Sequence, residues 1–220
     1  MQNSFELFES LYKLQLIDLD KTPLWWPDAG GFQTLLEVIL TQQTRWEKVN
    51  ESIRFLKTLD MFSLEKIIAA EQWRVASAIV PSGFYNQKAS RIIKLCKNIK
   101  EEFDNFESFK ESVTRGWLLA QSGIGQESAD AILCYICKKE TMVVDSYTAR
   151  LLGEFGFAFE SYEEIQEWLE FGIFENQDLI FQKYKELKDL NMVFCIFHGL
   201  IVEYCKQNCK KSEVDLKGLK

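Results

Sequence analysis

At 220 residues, 47% of them apolar and 14% aromatic, the chain has enough material for a sizeable core and is not a disordered segment. Its 33 acidic residues against 26 basic ones give a net charge of −7, which excludes a uniformly basic nucleic-acid binder and leaves any such contact to a local field. No run reaches the ~20 apolar residues of a membrane span, the N-terminus has no signal-peptide pattern, and six cysteines in such a chain are expected to stay reduced. The expectation is a cytoplasmic protein with no membrane partner.

Apolar residues Phe5, Phe8, Leu11, Tyr12 and Leu16 recur at helical spacing over Ser4–Leu19, predicting an amphipathic helix. Pro23 and Pro27 then bound a loop carrying Trp25 and Trp26. In such a loop both rings can line one cavity, whereas in a helix they would point to different faces; the competing role is to plug the core. Phe32–Leu40 predicts an apolar helix, with Gln42 and Gln43 at the junction that follows and Trp46, Val49, Ile53 and Leu56 opening the next helical face.

Two short helices over Ser63–Ala70 and Glu71–Val80 lead to a Pro-Ser-Gly turn and to Phe84, an apolar residue at a loop tip. Its plain role is an anchor beneath the loop. Tyr85–Phe103 directs Ile92, Ile93, Leu95, Cys96 and Ile99 inward, and Lys88, Arg91, Lys94, Lys97 and Lys100 recur along it as a basic stripe or a solvated face.

Gly123-Ile124-Gly125 lies between two apolar runs that read as helices. Glycines there permit a tight turn and close approach of a partner, and the free N–H groups of the second helix favour an anion such as a phosphate. Asp145 follows the apolar run Met142-Val143-Val144 and opens a new helix, so it is a capping residue as well as a candidate for chemistry. Ser161-x-x-Glu164 is a capping box, and Phe181–Lys206 carries Leu190, Phe194, Phe197, Ile201 and Tyr204 at helical spacing. Beyond a few residues at Thr141–Val144 there is no strand pattern, and the predicted class is all-α.

The single histidine, His198, shares a face with Phe194, Ile201 and Cys205 and reads as a core group, which removes any histidine-based triad. Cys134-x-x-Cys137 and Cys205-x-x-x-Cys209 hint at thiolate ligands. The first pair, however, sits within an apolar helix, where small buried cysteines are common. No metal site is expected.

Leu119-x-x-x-Gly123-Ile124-Gly125-x-x-x-Ala129 followed by Val143-Val144-Asp145-Ser146-Tyr147-Thr148-Ala149-Arg150 resembles the helix-hairpin-helix and catalytic-aspartate signature of the endonuclease III superfamily of DNA glycosylases. Segments Leu40–Trp46 and Ser82–Cys96 resemble family segments in the expected order, so the likeness spans most of the chain. Trp25-Trp26, the Pro-Ser-Gly-Phe-Tyr-Asn-Gln-Lys-Ala run and Phe197-His198-Gly199 are most similar to the bacterial 3-methyladenine DNA glycosylase III branch.

The resemblance implies a two-lobed fold with the active-site cleft between a central lobe (28–139) and a second lobe made of 1–27 plus 140–220. It implies a partner in double-stranded DNA carrying a damaged base, and a monomer. Asp145 would be the catalytic carboxylate; Trp25, Trp26, Pro27 and Trp46 would form the base pocket. Gly123, Ile124, Gly125 and Gln126 would meet the phosphates, while Gln42 and Phe84 fill the space left by a flipped base. Bifunctional relatives carry a nucleophilic lysine where this chain has Glu127, so a glycosylase without lyase activity is implied. Many relatives carry a four-cysteine cluster after the last helix, but only Cys205 and Cys209 stand there, and no iron–sulfur cluster is expected. The hairpin carbonyls near Leu119, Gln121 and Ile124 are a possible monovalent-cation site by the same resemblance. Two other readings remain at this point: a glycosylase for another damaged or mispaired base, and a non-catalytic helix-hairpin-helix DNA-binding module. A helical protein-interaction module would also fit the acidic balance.

Overall fold

The computed structural model describes residues 1–210 and 213–219. In chain order its helices are α1 (Ser4–Tyr12), α2 (Phe32–Leu40), α3 (Trp46–Thr58), α4 (Leu64–Ala69), α5 (Gln72–Ala78), α6 (Tyr85–Phe103), α7 (Phe106–Ser112), α8 (Arg115–Leu119), α9 (Gln126–Ala131), α10 (Ser146–Glu154), α11 (Tyr162–Glu175), α12 (Gln177–Lys183) and α13 (Leu190–Asn208). A short antiparallel pair, β1 (Cys209–Lys210) and β2 (Glu213–Val214), follows α13. The fold is all-α. Among the described residues no helix is long and apolar enough to cross a membrane.

The chain divides into two compact units, Met1–Pro27 with Lys138–Lys220, and Asp28–Cys137. The first is built on α13, which is buried along almost its whole length because apolar residues occupy nearly every position from Leu190 to Val202. Asp189 caps it by accepting from the Met192 N–H. The predicted continuous helix over Phe181–Lys206 is therefore two helices: α12 ends at Lys183, and the segment to Asp189 is a turn. Phe8 of α1 meets Phe197 edge to face at 5.5 Å. α11 crosses α1 at Gly172, where a Cβ would stand 2.2 Å from Ser4 Oγ, and that hydroxyl donates to the Leu169 carbonyl. α1 is shorter than the predicted Ser4–Leu19 because Gln15 takes a left-handed φ of 52° that ends the periodic face.

The second unit surrounds α2, buried from Thr34 to Leu40. α8 is tied to α9 by a bidentate pair: Arg115 Nε and Nη2 lie 2.8 and 3.0 Å from the two oxygens of the fully buried Asp130. After α9 the helix widens into a π-helical stretch at Ile132–Ile136, which buries Cys134 and Tyr135. Thr141–Val144 forms no strand; the strands are Cys209–Lys210 and Glu213–Val214, and just after them the Asp215 carbonyl accepts from Tyr204 Oη at 2.6 Å, which ties this segment to α13.

The basic stripe on α6 is interrupted at its first member. Lys88 is buried, with Nζ donating to the Leu40 carbonyl (2.8 Å), Thr44 Oγ1 (2.7 Å) and the Ser82 carbonyl (2.9 Å). Desolvation, with a smaller push from Arg91, lowers its pKa from 10.5 to about 8. A folded chain thus releases this proton near pH 8, whereas the unfolded chain holds it to 10.5. The unfolded state binds more protons in that window, so Lys88 makes stability rise with pH from about 8 to 10.5. Lys88→Met should lose that rise in chemical denaturation. At pH 7 it should also be destabilised by about 1–3 kcal/mol, because the carbonyls it served lose their donor.

Candidate active site and nucleic-acid interface

In the first unit the site begins with Asp145, the N-cap of α10. The apolar run before it is buried and fixes the approach of the chain. Asp145 Oδ1 accepts from both the Thr148 N–H (2.8 Å) and the Thr148 hydroxyl (2.9 Å). Oδ2 stands 3.6 Å from His198 Nε2. Burial alone would raise this carboxyl's pKa. The nearby His198 imidazole, together with the Thr148 donors, outweighs burial and holds it below the ordinary aspartate value. The group is an ionised carboxylate in a largely dry setting, oriented from both sides.

His198 was expected as a core residue, and it is buried. Its contact with Asp145 carries no sequence signal, because nothing in the sequence links positions 53 apart. α13 then continues the site. Trp25 packs edge-on against His198, ring centroids 5.3 Å apart at 90°. Its Nε1 donates to Glu203 Oε1 at 3.1 Å. Lys206 Nζ pairs with the same carboxylate at 3.0 Å and lies 5.6 Å from the Trp25 ring centroid. Gly199 makes this possible, since a Cβ there would meet Trp25 Cγ at 2.3 Å. Trp25 has a left-handed φ of 63°, a conformation that costs a bulky residue on the order of 1 kcal/mol or more and tends to cluster at functional sites. Trp26 stands edge to face with Trp25 at 6.0 Å. Both rings are half-buried, and Pro27 beside them is exposed. The structure thus gathers Asp145, Trp25 and Trp26 within one unit, linked through His198.

The second unit carries the other expected residues. Gly123 takes φ 81° and turns the chain between α8 and α9, while Gly125 is the N-cap of α9 with extended backbone. Ile124 is buried and anchors the turn. A Cβ on Gly123 would fall 2.4 Å from the Arg91 side chain. Arg91 also donates to Gln42 Oε1 at 3.3 Å, and Gln42 Nε2 donates to the Gly123 carbonyl (2.9 Å) and to Ser128 Oγ (3.1 Å). Gln42 therefore braces the hairpin in this structure. Its neighbour Gln43 is exposed with φ 54°. Phe84 is 61% exposed with φ 45°, so it is not the buried anchor that a loop-tip phenylalanine could have been. Lys88, which bonds both sides, fixes the loop of Gln42 relative to the turn before Phe84. Trp46 opens α3 half-buried, and Gln126 opens α9 half-buried.

The cysteines do not assemble into a ligand set. Cys205 Sγ lies 3.7 Å from the Tyr147 carbonyl, and burial together with the Asp145 charge pushes its thiol up to about 12. Cys209 Sγ accepts from Arg150 at 3.3 Å, and Cys195 is buried on α13. Among the described residues no group of three or more His, Cys, Asp or Glu could hold a metal ion.

Residues 36–172 match the HhH-GPD superfamily of base excision DNA repair proteins. A provisionally named DNA repair glycosylase of Methanocaldococcus jannaschii is 34% identical over 217 residues, covering 96% of this chain and 92% of its own. Endonuclease III of Thermotoga maritima is 27% identical over 146 residues, 64% of this chain and 65% of that one. Among solved structures, the H. pylori 3-methyladenine DNA glycosylase MagIII bound to 1,N6-ethenoadenine superposes with a TM-score of 0.90 at 44% identity, covering 94% of this chain and 99% of that one. An endonuclease III trapped covalently on DNA superposes with a TM-score of 0.69 at 18% identity, covering 96% and 89%, a likeness of fold.

Proposed function

The chain belongs to the HhH-GPD superfamily of base excision DNA repair proteins as a DNA glycosylase, and we propose that its reaction is the hydrolytic release of alkylated purines, 3-methyladenine foremost, without strand cleavage. The observation that carries this reading is Asp145, an ionised carboxylate held by Thr148 and faced by His198, on which Trp25 packs. Breaking an N-glycosidic bond builds positive charge on the deoxyribose. A pre-oriented anion in a dry site stabilises that charge as it forms and aligns the attacking water. A 3-alkylated purine is itself cationic, so its leaving ability is already high and the site needs no strong general acid. Cys205, its thiol pushed up by burial and by Asp145, is no nucleophile.

Substrate choice rests on the aromatic residues. Trp25, Trp26 and Trp46 offer π faces that attract a cationic base more than a neutral one, and Pro27 stiffens the loop at the edge of the tryptophan pair. The similar H. pylori protein bears the name 3-methyladenine DNA glycosylase, which supports the same choice. The base must leave the duplex first, at a cost of a few kcal/mol. Exposed Phe84 suits insertion into the stack. The N–H groups of Gly125 and Gln126 at the start of α9 suit a phosphate, and Gln42 keeps the hairpin in shape for it.

Glu127 stands in the first turn of α9, where the resemblance puts the lysine of bifunctional enzymes. A carboxylate cannot form a Schiff base with the sugar. Incubation with methylated duplex DNA should therefore release free 3-methyladenine and leave intact abasic strands, and borohydride should trap no protein–DNA adduct. A trapped adduct would overturn the monofunctional reading. The same reading needs no iron–sulfur cluster. A monovalent cation at the carbonyls of Leu119, Gln121 and Ile124 is compatible with it, because the Gln121 carbonyl, though bonded to the Ile124 N–H, retains a second lone pair; it would orient the hairpin toward phosphate.

A further inference from the structure

Helix α11 has two unlike faces. Leu169, Gly172 and Ile173 are buried, and Gly172 lets the helix ride closely on Ser4. The opposite face presents Glu164, Glu167, Trp168, Phe171 and Phe174 at the 3–4-residue spacing that aligns them in one row. With Phe159 and Glu170 these line a groove of about 660 Å³. Phe171 is 67% exposed and Phe174 37% exposed, an unusual position for two phenylalanines on one helix. Trp168 is braced from behind by Phe157 at 4.7 Å and Phe159 at 6.0 Å, so the floor is rigid.

The charged residues that line the groove, Glu164, Glu167 and Glu170, are all acidic. From residue 151 to 182 the chain holds Glu154, Glu160, Glu163, Glu164, Glu167, Glu170, Glu175 and Asp178, and no lysine or arginine. The segment supplies no counter-charge of its own. Such a face repels DNA phosphates and anionic lipid alike, and two copies facing each other would oppose like charges. What it complements is a cationic chain with apolar anchors.

We propose that the outer face of α11 docks a basic amphipathic segment of a protein partner, its lysines or arginines against Glu164, Glu167 and Glu170 and its aliphatic side chains over Trp168, Phe171 and Phe174. The face shares no residue with the catalytic set, so the partner can be held while the glycosylase works. This function is separate from the choice of lesion and stands or falls independently of it.

The test uses the full chain, isotopically labelled, and a synthetic amphipathic helix of leucine and lysine as the probe. Two controls accompany it: a peptide of identical composition scrambled to spread its leucines around the helix, and one with glutamate in place of lysine. Amide shifts should concentrate between Phe159 and Glu175 with the first peptide, and both controls should bind far more weakly. Phe171→Ser and Glu167→Lys, both at exposed positions, should each weaken the probe by roughly tenfold or more, and added salt should do the same. Base release from alkylated DNA should be unchanged in both variants, and their melting temperatures should report an intact fold. Equal binding of the scrambled peptide, shifts spread over the molecule, or unaltered affinity in Phe171→Ser would overturn the proposal. So would sedimentation showing self-association that Phe171→Ser abolishes, which would make a second copy the occupant.

Discussion

Asp145→Asn should lower the rate of base release by about 10²–10³-fold or more while leaving affinity for lesion-bearing DNA nearly unchanged. The substitution is unusually clean here. Asparagine caps helices as well as aspartate, and its side-chain oxygen can still accept from the Thr148 N–H and hydroxyl, so α10 should keep its start. What disappears is the charge. In the wild type, Thr148 and His198 hold the carboxyl below its ordinary value despite burial, so it is anionic at neutral pH and needs no reorganisation when the sugar becomes cationic. A loss that falls on single-turnover release and spares binding marks an interaction made in the transition state. Near-normal turnover would move the catalytic role to another residue. The folded pKa of Asp145 lies below the unfolded one, so this group's contribution to stability is present above the unfolded value and is lost as pH falls through the folded one.

How far the sequence could be read depends on the kind of contact. Helices with a one-sided apolar face, such as α3 and α6, are legible because their periodicity is local. The hairpin is legible because Gly123 must take a positive φ that few residues adopt. Asp145 is legible as a cap by its place between an apolar run and a helix, and as a candidate catalyst only through the resemblance. Contacts between distant positions were not legible. His198 reads as core from its own helix face, and its approach to Asp145 depends on how α10 and α13 pack. Lys88 reads as one of five cations on a helix, yet it is drawn inside by carbonyls at Leu40 and Ser82 that no pattern reveals. The same holds for Gly199, an ordinary helix glycine in the sequence and the gap that admits an indole in the structure. Helix ends depart from the periodic pattern where a left-handed residue, as at Gln15, overrides it.

Gly199 and Trp25 together give the sharpest test of substrate choice. In an open helix, Gly→Ala would favour α13 by about 0.5–1 kcal/mol. Here the new methyl would meet Trp25 Cγ at 2.3 Å and Trp25 Cβ at 2.7 Å, so the indole must leave His198. Gly199→Ala is therefore expected to imitate Trp25→Ala in activity while retaining an indole in the chain. A cation–π contact in a desolvated pocket contributes about 2 kcal/mol, so losing it should slow release of cationic 3-methyladenine by roughly thirtyfold. Neutral hypoxanthine, which lacks that attraction, should lose less. Trp26→Ala and Trp46→Ala should shift the same ratio if their rings also face the base. Single-turnover rates on both lesions, with melting temperatures for every variant, decide among the outcomes. Equal losses on cationic and neutral bases would mean that the rings select by shape. Unfolding of Trp25→Ala would return the ring to the core, an outcome that its half-buried position and left-handed backbone argue against. A selective loss in both Gly199→Ala and Trp25→Ala would assign the preference for alkylated purines to the placement of one indole, set by the absence of one side chain on α13.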